Sequence, residues 1–336
     1  MTAALRACLA VAALLALAGT AIACRRSNAG ASAAKTASAR SIDRLATSSA
    51  PTATANAHGT CATPHPHAPG NETASIESGG LQRSYILHVP PSYDGTRKTP
   101  LVLNLHGFGS NAQQQAVYAG LPAKGDRDGF ITVSPDGTGD PRHWTYPGLG
   151  SVDDVAFVRE LLDTLERDLC IDEGWVFTAG MSNGAAFSQV LACALPGRFA
   201  AVAAVAALVY QARCDTAPPV AVIGFHGTAD PCVPLEGGQT ACGQRLPVPA
   251  IEDSARNWAQ HDGCSAEPAR TQLSEHVRSV AYSECTDSTA VILYVVDGGG
   301  HTWPGSIDVA RLGATTQEIN ATDLIWQFFA AQAGSR

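Results

Sequence analysis

The chain has 336 residues, of which 45% are hydrophobic and 15% charged, and a formal net charge of −8. Six cations against Asp43 in residues 1–60 leave the rest of the chain at −13, which argues against nucleic acid or anionic membrane surfaces as partners. The sequence beyond residue 60 is long enough for one sizeable domain with its own core.

The first 23 residues read as a signal peptide. Arg6 precedes the apolar run Ala7 to Ala18, which is too short to span a bilayer, and Ala21-Ile22-Ala23 is a small-x-small cleavage pattern. Cys24 follows at once. Cleavage there admits two readings, plain secretion or processing as a bacterial lipoprotein with a lipidated Cys24 as the only membrane tether. Ala21 stands where lipoprotein signals usually carry leucine. Both readings place the protein outside the cytoplasm, in the periplasm, on the cell surface or in the medium. Residues 24–60 are rich in Ala, Ser and Thr with almost no large apolar side chain, so they cannot bury enough surface to offset chain entropy and are expected to form a disordered tether. Residues 61–336 are expected to be the folded domain.

In that domain, strand-length apolar runs lie at Arg83–Val89, Leu101–Leu105, Phe130–Val133, Trp175–Ala179, Ala200–Ala206, Val220–Phe225, Val277–Tyr282 and Val291–Val296. Helical patterns lie at Val152–Asp168, Ala185–Ala194, Ala250–Gln260 and Ala321–Ala331. Several strands are continuous runs of Val, Ile, Leu and Ala, as expected for a parallel sheet covered on both faces. The alternation predicts a doubly wound α/β architecture, with functional residues on loops at the carboxyl ends of strands. Asp153 and Asp154 open a helix and are expected to cap it. His58, Cys61, His65 and His67 cluster near the end of the tether, but no metal site is expected of them.

Gly180-Met181-Ser182-Asn183-Gly184 lies between the strand Trp175–Ala179 and a helix beginning near Ala185. A serine on a sharp strand-to-helix turn lifts its hydroxyl clear of the sheet, and flanking glycines leave room for the bend. Ser182 is therefore the candidate nucleophile. The candidate acid is Asp230, after the strand Val220–Phe225, and the candidate base is His301, after Val291–Val296. Gly298, Gly299 and Gly300 are expected to form a mobile loop that lets the His301 ring swing over the elbow. The order Ser, Asp, His is that of α/β-hydrolases. His106 and His226, each on a His-Gly turn, are expected to shape their turns by hydrogen bonds, and Asp297 shares too short a loop with His301 to support its ring. The oxyanion donors are expected to be the N–H groups of Asn183 and of Phe108, with Gly107 the alternative to Phe108. Trp303, Trp144 and Tyr146 are candidate walls of a substrate site.

Of the ten cysteines, Cys8 and Cys24 belong to the signal region. The remaining eight read as four disulfides in an exported domain; 105 pairings are open to them. Local pairing favours Cys232 with Cys242, Cys264 with Cys285 and Cys193 with Cys214, leaving Cys61 with Cys170.

The strings Pro100-Leu-Val-Leu-Asn-Leu-His106-Gly-Phe-Gly, Ser151-Val-Asp-Asp154, Gly180-Met-Ser182-Asn-Gly, Phe225-His-Gly-Thr-Ala-Asp230-Pro and Gly300-His301-Thr-Trp303-Pro-Gly together resemble the secreted polyhydroxybutyrate depolymerase-like esterases, a group that includes feruloyl and acetylxylan esterases. The resemblance runs from about residue 80 to the C-terminus. It implies an α/β-hydrolase fold, a Ser182–Asp230–His301 triad and hydrolysis of an ester, which can be polymeric, without a cofactor. Feruloyl, acetyl and hydroxybutyrate esters all fall within its substrates. A serine peptidase on the same fold and a non-catalytic surface binding module are the rival readings.

Overall fold

The computed structural model describes residues 59–146, 150–243 and 245–333. The expected signal peptide, Cys24, His58 and all of the tether but its last two residues lie outside them. The described chain is tied to the domain from its start. Lys98 N–H donates to the Gly59 carbonyl at 2.8 Å, and Thr60 forms a β-bridge with Arg97.

Ten strands form one sheet. In chain order they are β1 (Gly70–Ser78), β2 (Leu81–Val89), β3 (Thr99–Leu105), β4 (Ile131–Pro135), β5 (Ile171–Met181), β6 (Ala201–Val205) and β7 (Ala221–Gly227), followed after a two-stranded ribbon, β8 (Gly238–Gln239) with β9 (Pro247–Val248), by β10 (Ala269–Gln272), β11 (Val277–Tyr282) and β12 (Val291–Val296). The spatial order is β1-β2-β4-β3-β5-β6-β7-β12-β11-β10. The six strands from β4 to β12 run parallel, and an antiparallel pair extends each edge. The parallel strands β3, β4, β6, β7 and β12 are buried along their whole length, in line with their mostly apolar sequences.

Among the described residues six α-helices pack around the sheet: α1 (Ala112–Ala119), α2 (Leu121–Asp128), α3 (Asp154–Asp168), α4 (Asn183–Ala194), α5 (Ile251–His261) and α6 (Ala321–Ala333). The two-residue period of a strand sorts the core into two layers. Phe177, Ala203, Ile223 and Phe225 face α2 and α6, where Phe177 stacks on Phe329 at 4.5 Å and Phe130 on Trp326 at 4.1 Å. Leu101, Leu103, Val176, Val202 and Val222 face the other way, onto α3, α4 and α5.

Six of these elements were not expected: β1, β8, β9, β10, α1 and α2. β1 reads GNETASIES, too polar to signal a strand, and it alternates because only its inner face touches the core. Its hairpin to β2 turns on Gly79 and Gly80, both left-handed (φ 58° and 76°), the conformation a two-residue hairpin demands. α1 and α2 carry few large apolar residues, so their periodicity is weak. Among the described residues no helix is long and apolar enough to cross a membrane.

The structure contains the bridges Cys61–Cys170, Cys193–Cys214, Cys232–Cys242 and Cys264–Cys285. The first spans 109 residues, and a loop of that size restricts the unfolded chain by about 4–5 kcal/mol in the chain-entropy account. It takes Cys61 out of the His/Cys cluster; His67 there bonds Glu72, and His65 lies beside Thr63.

Candidate active site

Ser182 sits between β5 and α4 with φ 56° and ψ −119°, a backbone conformation that L-residues rarely adopt. Its N–H donates to the Val205 carbonyl at 2.8 Å, anchoring the bend to β6. The glycines on either side are sterically required. A Cβ on Gly180 would collide with the Gly184 backbone, and a Cβ on Gly184 with the carbonyls of Leu105 and His106. The sharp turn leaves the serine partly exposed at the floor of two clefts.

Asp230 and His301 come together at the carboxyl ends of β7 and β12. His301 Nδ1–H donates to Asp230 Oδ2 at 2.8 Å, and the other carboxylate oxygen accepts the N–H groups of Cys232 (2.7 Å) and Val233 (2.9 Å). The Asp230 side chain is fully buried. Burial alone would push its carboxyl up; the hydrogen bond and charge of His301 outweigh that and hold it below the usual carboxylate range. With Nδ1 engaged, the His301 ring presents Nε2 as its proton-transfer atom, and His301 and Ser182 line the same cleft.

The loop before His301 is clamped rather than mobile. Gly299 and Gly300 are buried, Gly300 N–H donates to Ala314 O at 2.9 Å, and His301 N–H to Leu312 O at 2.6 Å. A Cβ on Gly300 would strike the Leu312 carbonyl, and one on Gly227 the Gly299 carbonyl. These glycines serve close backbone packing, which sequence alone does not distinguish from freedom of motion.

The other two histidines hold turns. His106 Nδ1–H donates to Gly107 O at 2.8 Å and Nε2 accepts Gly137 N–H at 3.0 Å, which fixes a neutral tautomer; burial lowers its pKa to about 4. His226 Nε2–H donates to Val233 O at 2.9 Å, 3.6 Å from Asp230 Oδ2, and burial lowers its pKa too. Asp297 is exposed and accepts from the Thr228 hydroxyl at 3.0 Å.

Asn183 opens α4, where the first amides have no carbonyl one turn back to bond. Its side chain is held on every side. Oδ1 accepts Trp144 N–H at 2.7 Å, Nδ2 donates to the Tyr146 hydroxyl at 2.7 Å and to Trp144 O at 3.3 Å, and the Tyr146 hydroxyl donates to Asn183 O at 3.1 Å. The segment carrying Trp144 and Tyr146 is itself pinned by Asp154, which accepts Thr145 N–H at 2.7 Å and pairs with Arg83 at 2.5 Å. Asp154 is therefore more than the expected cap; Asp153 alone caps the helix through Ala156 N–H. The signal for this was Arg83, the one charge in an otherwise polar-to-apolar strand, but its partner is 71 residues away. Gly107 lies beside the nucleophile, a Cβ there falling 3.4 Å from Ser182 Cβ, so the next residue, Phe108, is on the loop that faces Ser182.

Trp144 and Trp303 do not wall the site. Each is 1% exposed. Trp144 stacks on Phe187 at 5.2 Å and donates its indole N–H to His106 O at 2.9 Å; Trp303 donates its indole N–H to Thr322 at 2.9 Å within the core. Both indoles are polarity-satisfied core residues that support the loops from behind. Tyr146 does line a cleft.

The two clefts meet at Ser182. One, of about 400 Å³, is lined by Tyr146, Asn183, Val209, Tyr210, Leu246 and Val248 among others. The second, of about 550 Å³, is lined by His301, Tyr118, Met181, Ile307, Val309 and Leu312 among others. Phe108, Ser182 and Cys242 border both. Asp230, Cys232 and His301 have ligand atoms close enough to hold a metal ion, but Cys232 is in a disulfide. A serine, an imidazole paired to a buried carboxylate and amides at a helix N-terminus are the parts that acyl transfer requires.

A profile of the family described as "Esterase PHB depolymerase" matches residues 83–238. Feruloyl esterase C of Emericella nidulans is 30% identical over 257 residues, covering 74% of this chain and 84% of its own. The putative esterase NocK of Nocardia uniformis is 28% identical over 277 residues, with 74% and 79% covered. Feruloyl esterase B of Piromyces equi is 28% identical over 229 residues, and the chain spans 42% of its length. Among solved structures, an acetyl xylan esterase from Aspergillus awamori superposes with a TM-score of 0.53 at 14% identity, over 77% of this chain and 99% of its own, which establishes the shared fold.

Proposed function

This chain belongs to the esterase family of the polyhydroxybutyrate depolymerases and feruloyl esterases, and on that premise we propose that it is an exported serine esterase that removes acyl groups from plant polysaccharide. Ester hydrolysis follows from the family; the residues and the substrate are our reading. Ser182 attacks the ester carbonyl as His301 Nε2 takes its proton. The N–H groups of Asn183 and Phe108, with the N-terminus of α4, receive the oxyanion. His301 then protonates the departing alcohol and later activates water on the acyl-enzyme, while Asp230 holds the imidazole tautomer and stabilises the imidazolium. The observation that carries this reading is the 2.8 Å His301–Asp230 pair, opening on the same cleft as a serine in a strained turn.

The general acid must stand beside the leaving group. The cleft containing His301 is therefore the alcohol side, and the 400 Å³ cleft with Tyr146 and Tyr210 takes the acyl group. Its aromatic and aliphatic walls suit a flat cinnamoyl-type acid. Names of the relatives support a feruloyl ester, and four disulfides support a site of action outside the cytoplasm. A short hydroxyacid polyester is the second reading, favoured by Val117 and Ile307, exposed by 64% and 65% on the lip of the alcohol-side cleft. Initial rates on methyl ferulate, p-nitrophenyl acetate, hydroxybutyrate oligomers and a peptide anilide test the proposal. We expect methyl ferulate to be turned over and the anilide to be left intact. Cleavage of the anilide alone would overturn it in favour of a peptidase.

A further inference from the structure

We propose that the Cys232–Cys242 disulfide is a positioning device that couples the two halves of the catalytic machinery, the Asp230 carboxylate and the Phe108 oxyanion donor, and that it forms the partition between the acyl and alcohol clefts. The inference rests on the assignment of Ser182, Asp230, His301 and the Phe108 oxyanion donor above.

The bridge starts at the carboxylate. Cys232 N–H donates to Asp230 Oδ1 at 2.7 Å, so one half of the cystine lies within a single turn of the acid, and Cys232 is buried. From Val233, whose N–H makes the second bond to Asp230 Oδ1, the chain passes through β8 and returns, with Ala241 N–H donating to Cys232 O at 2.8 Å. Cys242 closes the ten-residue loop. The next residue, Gly243, has a left-handed backbone (φ 75°) and lies directly on the Phe108 ring: a Cβ there would stand 2.9 Å from the ring carbon Cγ. On another side of Phe108 is His143, ring to ring at 5.7 Å. A covalent path of a few residues thus runs from the acid that orients His301 to Gly243, which packs on the ring of the residue whose N–H is assigned to the oxyanion. The same cystine borders both clefts: Cys242 and Phe108 line each, Val233 the acyl side and Cys232 the alcohol side. Catalysis needs the oxyanion donor and the base held in one geometry, and a misplacement of about 1 Å can cost about 10²-fold.

Two variants test this. Cys232→Ser with Cys242→Ser removes the bridge, and Gly243→Ala keeps it but drives a methyl group into the Phe108 ring. For both, kcat on p-nitrophenyl acetate is expected to fall about tenfold or more at a temperature where the protein stays folded, with KM changed less than about threefold. The bridge-less protein should also lose discrimination between p-nitrophenyl acetate and a long-chain p-nitrophenyl ester, since the two clefts merge. In a Phe108→Ala background, Gly243→Ala should lower kcat much less than in the parent, because the ring it strikes is gone and only the strain of a left-handed alanine remains. An unchanged kcat and chain-length preference in the bridge-less protein, with only its melting temperature lowered, would overturn the proposal. If that protein does not fold, the Gly243→Ala and Phe108→Ala cycle decides it, additive losses being the contrary result. Fluorophosphonate labelling of the unaltered protein separates the two failures: a label absent from Ser182 there rejects the underlying assignment instead.

Discussion

His301 Nδ1 stands 2.8 Å from Asp230 Oδ2, and the carboxylate it meets is fully buried, with its second oxygen already committed to two backbone amides. The carboxylate cannot rotate away without leaving buried N–H groups unpaired. The pair is a fixed point from which the orientation of the imidazole follows.

Asp230→Asn should keep this fixed point and change its chemistry. The amide oxygen can still accept from Cys232 and Val233, so the melting temperature should move little. The amide nitrogen then faces Nδ1 and favours the wrong imidazole tautomer. A fall in kcat of about 10⁴-fold is expected, and a loss under about tenfold would show that Asp230 does not orient the base.

Tyr146→Phe removes one hydroxyl from the network around Asn183. The Asn183 amide then keeps only Trp144, and the start of α4 loosens where the oxyanion would bind. One hydrogen bond of this kind contributes about 1 kcal/mol, so kcat should fall by about five- to tenfold. Tyr146 also lines the acyl cleft, so a change confined to KM would mean that it contacts substrate without supporting Asn183.

Trp303→Phe tests the reassignment of the buried indoles. It leaves a void in the core and removes the indole N–H that the Thr322 hydroxyl accepts, while that hydroxyl keeps its own bond to the Ala119 carbonyl. A loss of about 1–3 kcal/mol in denaturant unfolding is expected, with KM for methyl ferulate unchanged. A large rise in KM at full stability would return Trp303 to the substrate site.

Stability should depend on pH through His261. Its Nδ1 faces Asp262 at 2.8 Å and its Nε2 faces the Ala217 carbonyl at 3.0 Å, an arrangement that favours the protonated ring. The hydrogen bond to Asp262 raises its pKa above 6.5. A folded pKa above the unfolded one adds stability that is complete below about pH 6.5 and is lost as pH rises through the folded value. Melting temperature should therefore fall as pH rises above about 6.5. The surface pair His276–Glu318 titrates in the same direction, so the comparison that counts is with His261→Gln, in which the slope should flatten. An identical slope in that variant would rule out His261 as its source.

The features that announce themselves in this sequence are those imposed by close backbone contact or by burial on both faces. Gly180 and Gly184 are legible because no side chain fits between β5, α4 and β3. Strands such as β6 and β12 are legible because their runs of Val, Ile, Leu and Ala have no polar face to show. What stays hidden depends on partners far along the chain. β1 is polar because only half of it touches the core. Trp303 looks like a site residue because its neighbour is His301, yet its ring turns inward to Thr322. The three glycines before His301 resemble a flexible loop until Leu312 and Ala314 are seen packed against them. Gly243 carries no signal at all until Phe108, 135 positions earlier, is found beneath it.

The most direct measurement is kcat/KM of purified Ser182→Ala on p-nitrophenyl acetate, beside fluorophosphonate labelling mapped by peptide mass. The account predicts a loss of about 10⁶-fold in kcat at an unchanged melting temperature, with the label on Ser182 of the parent and absent from the variant. Activity retained by folded Ser182→Ala, or a label on another residue, would contradict it.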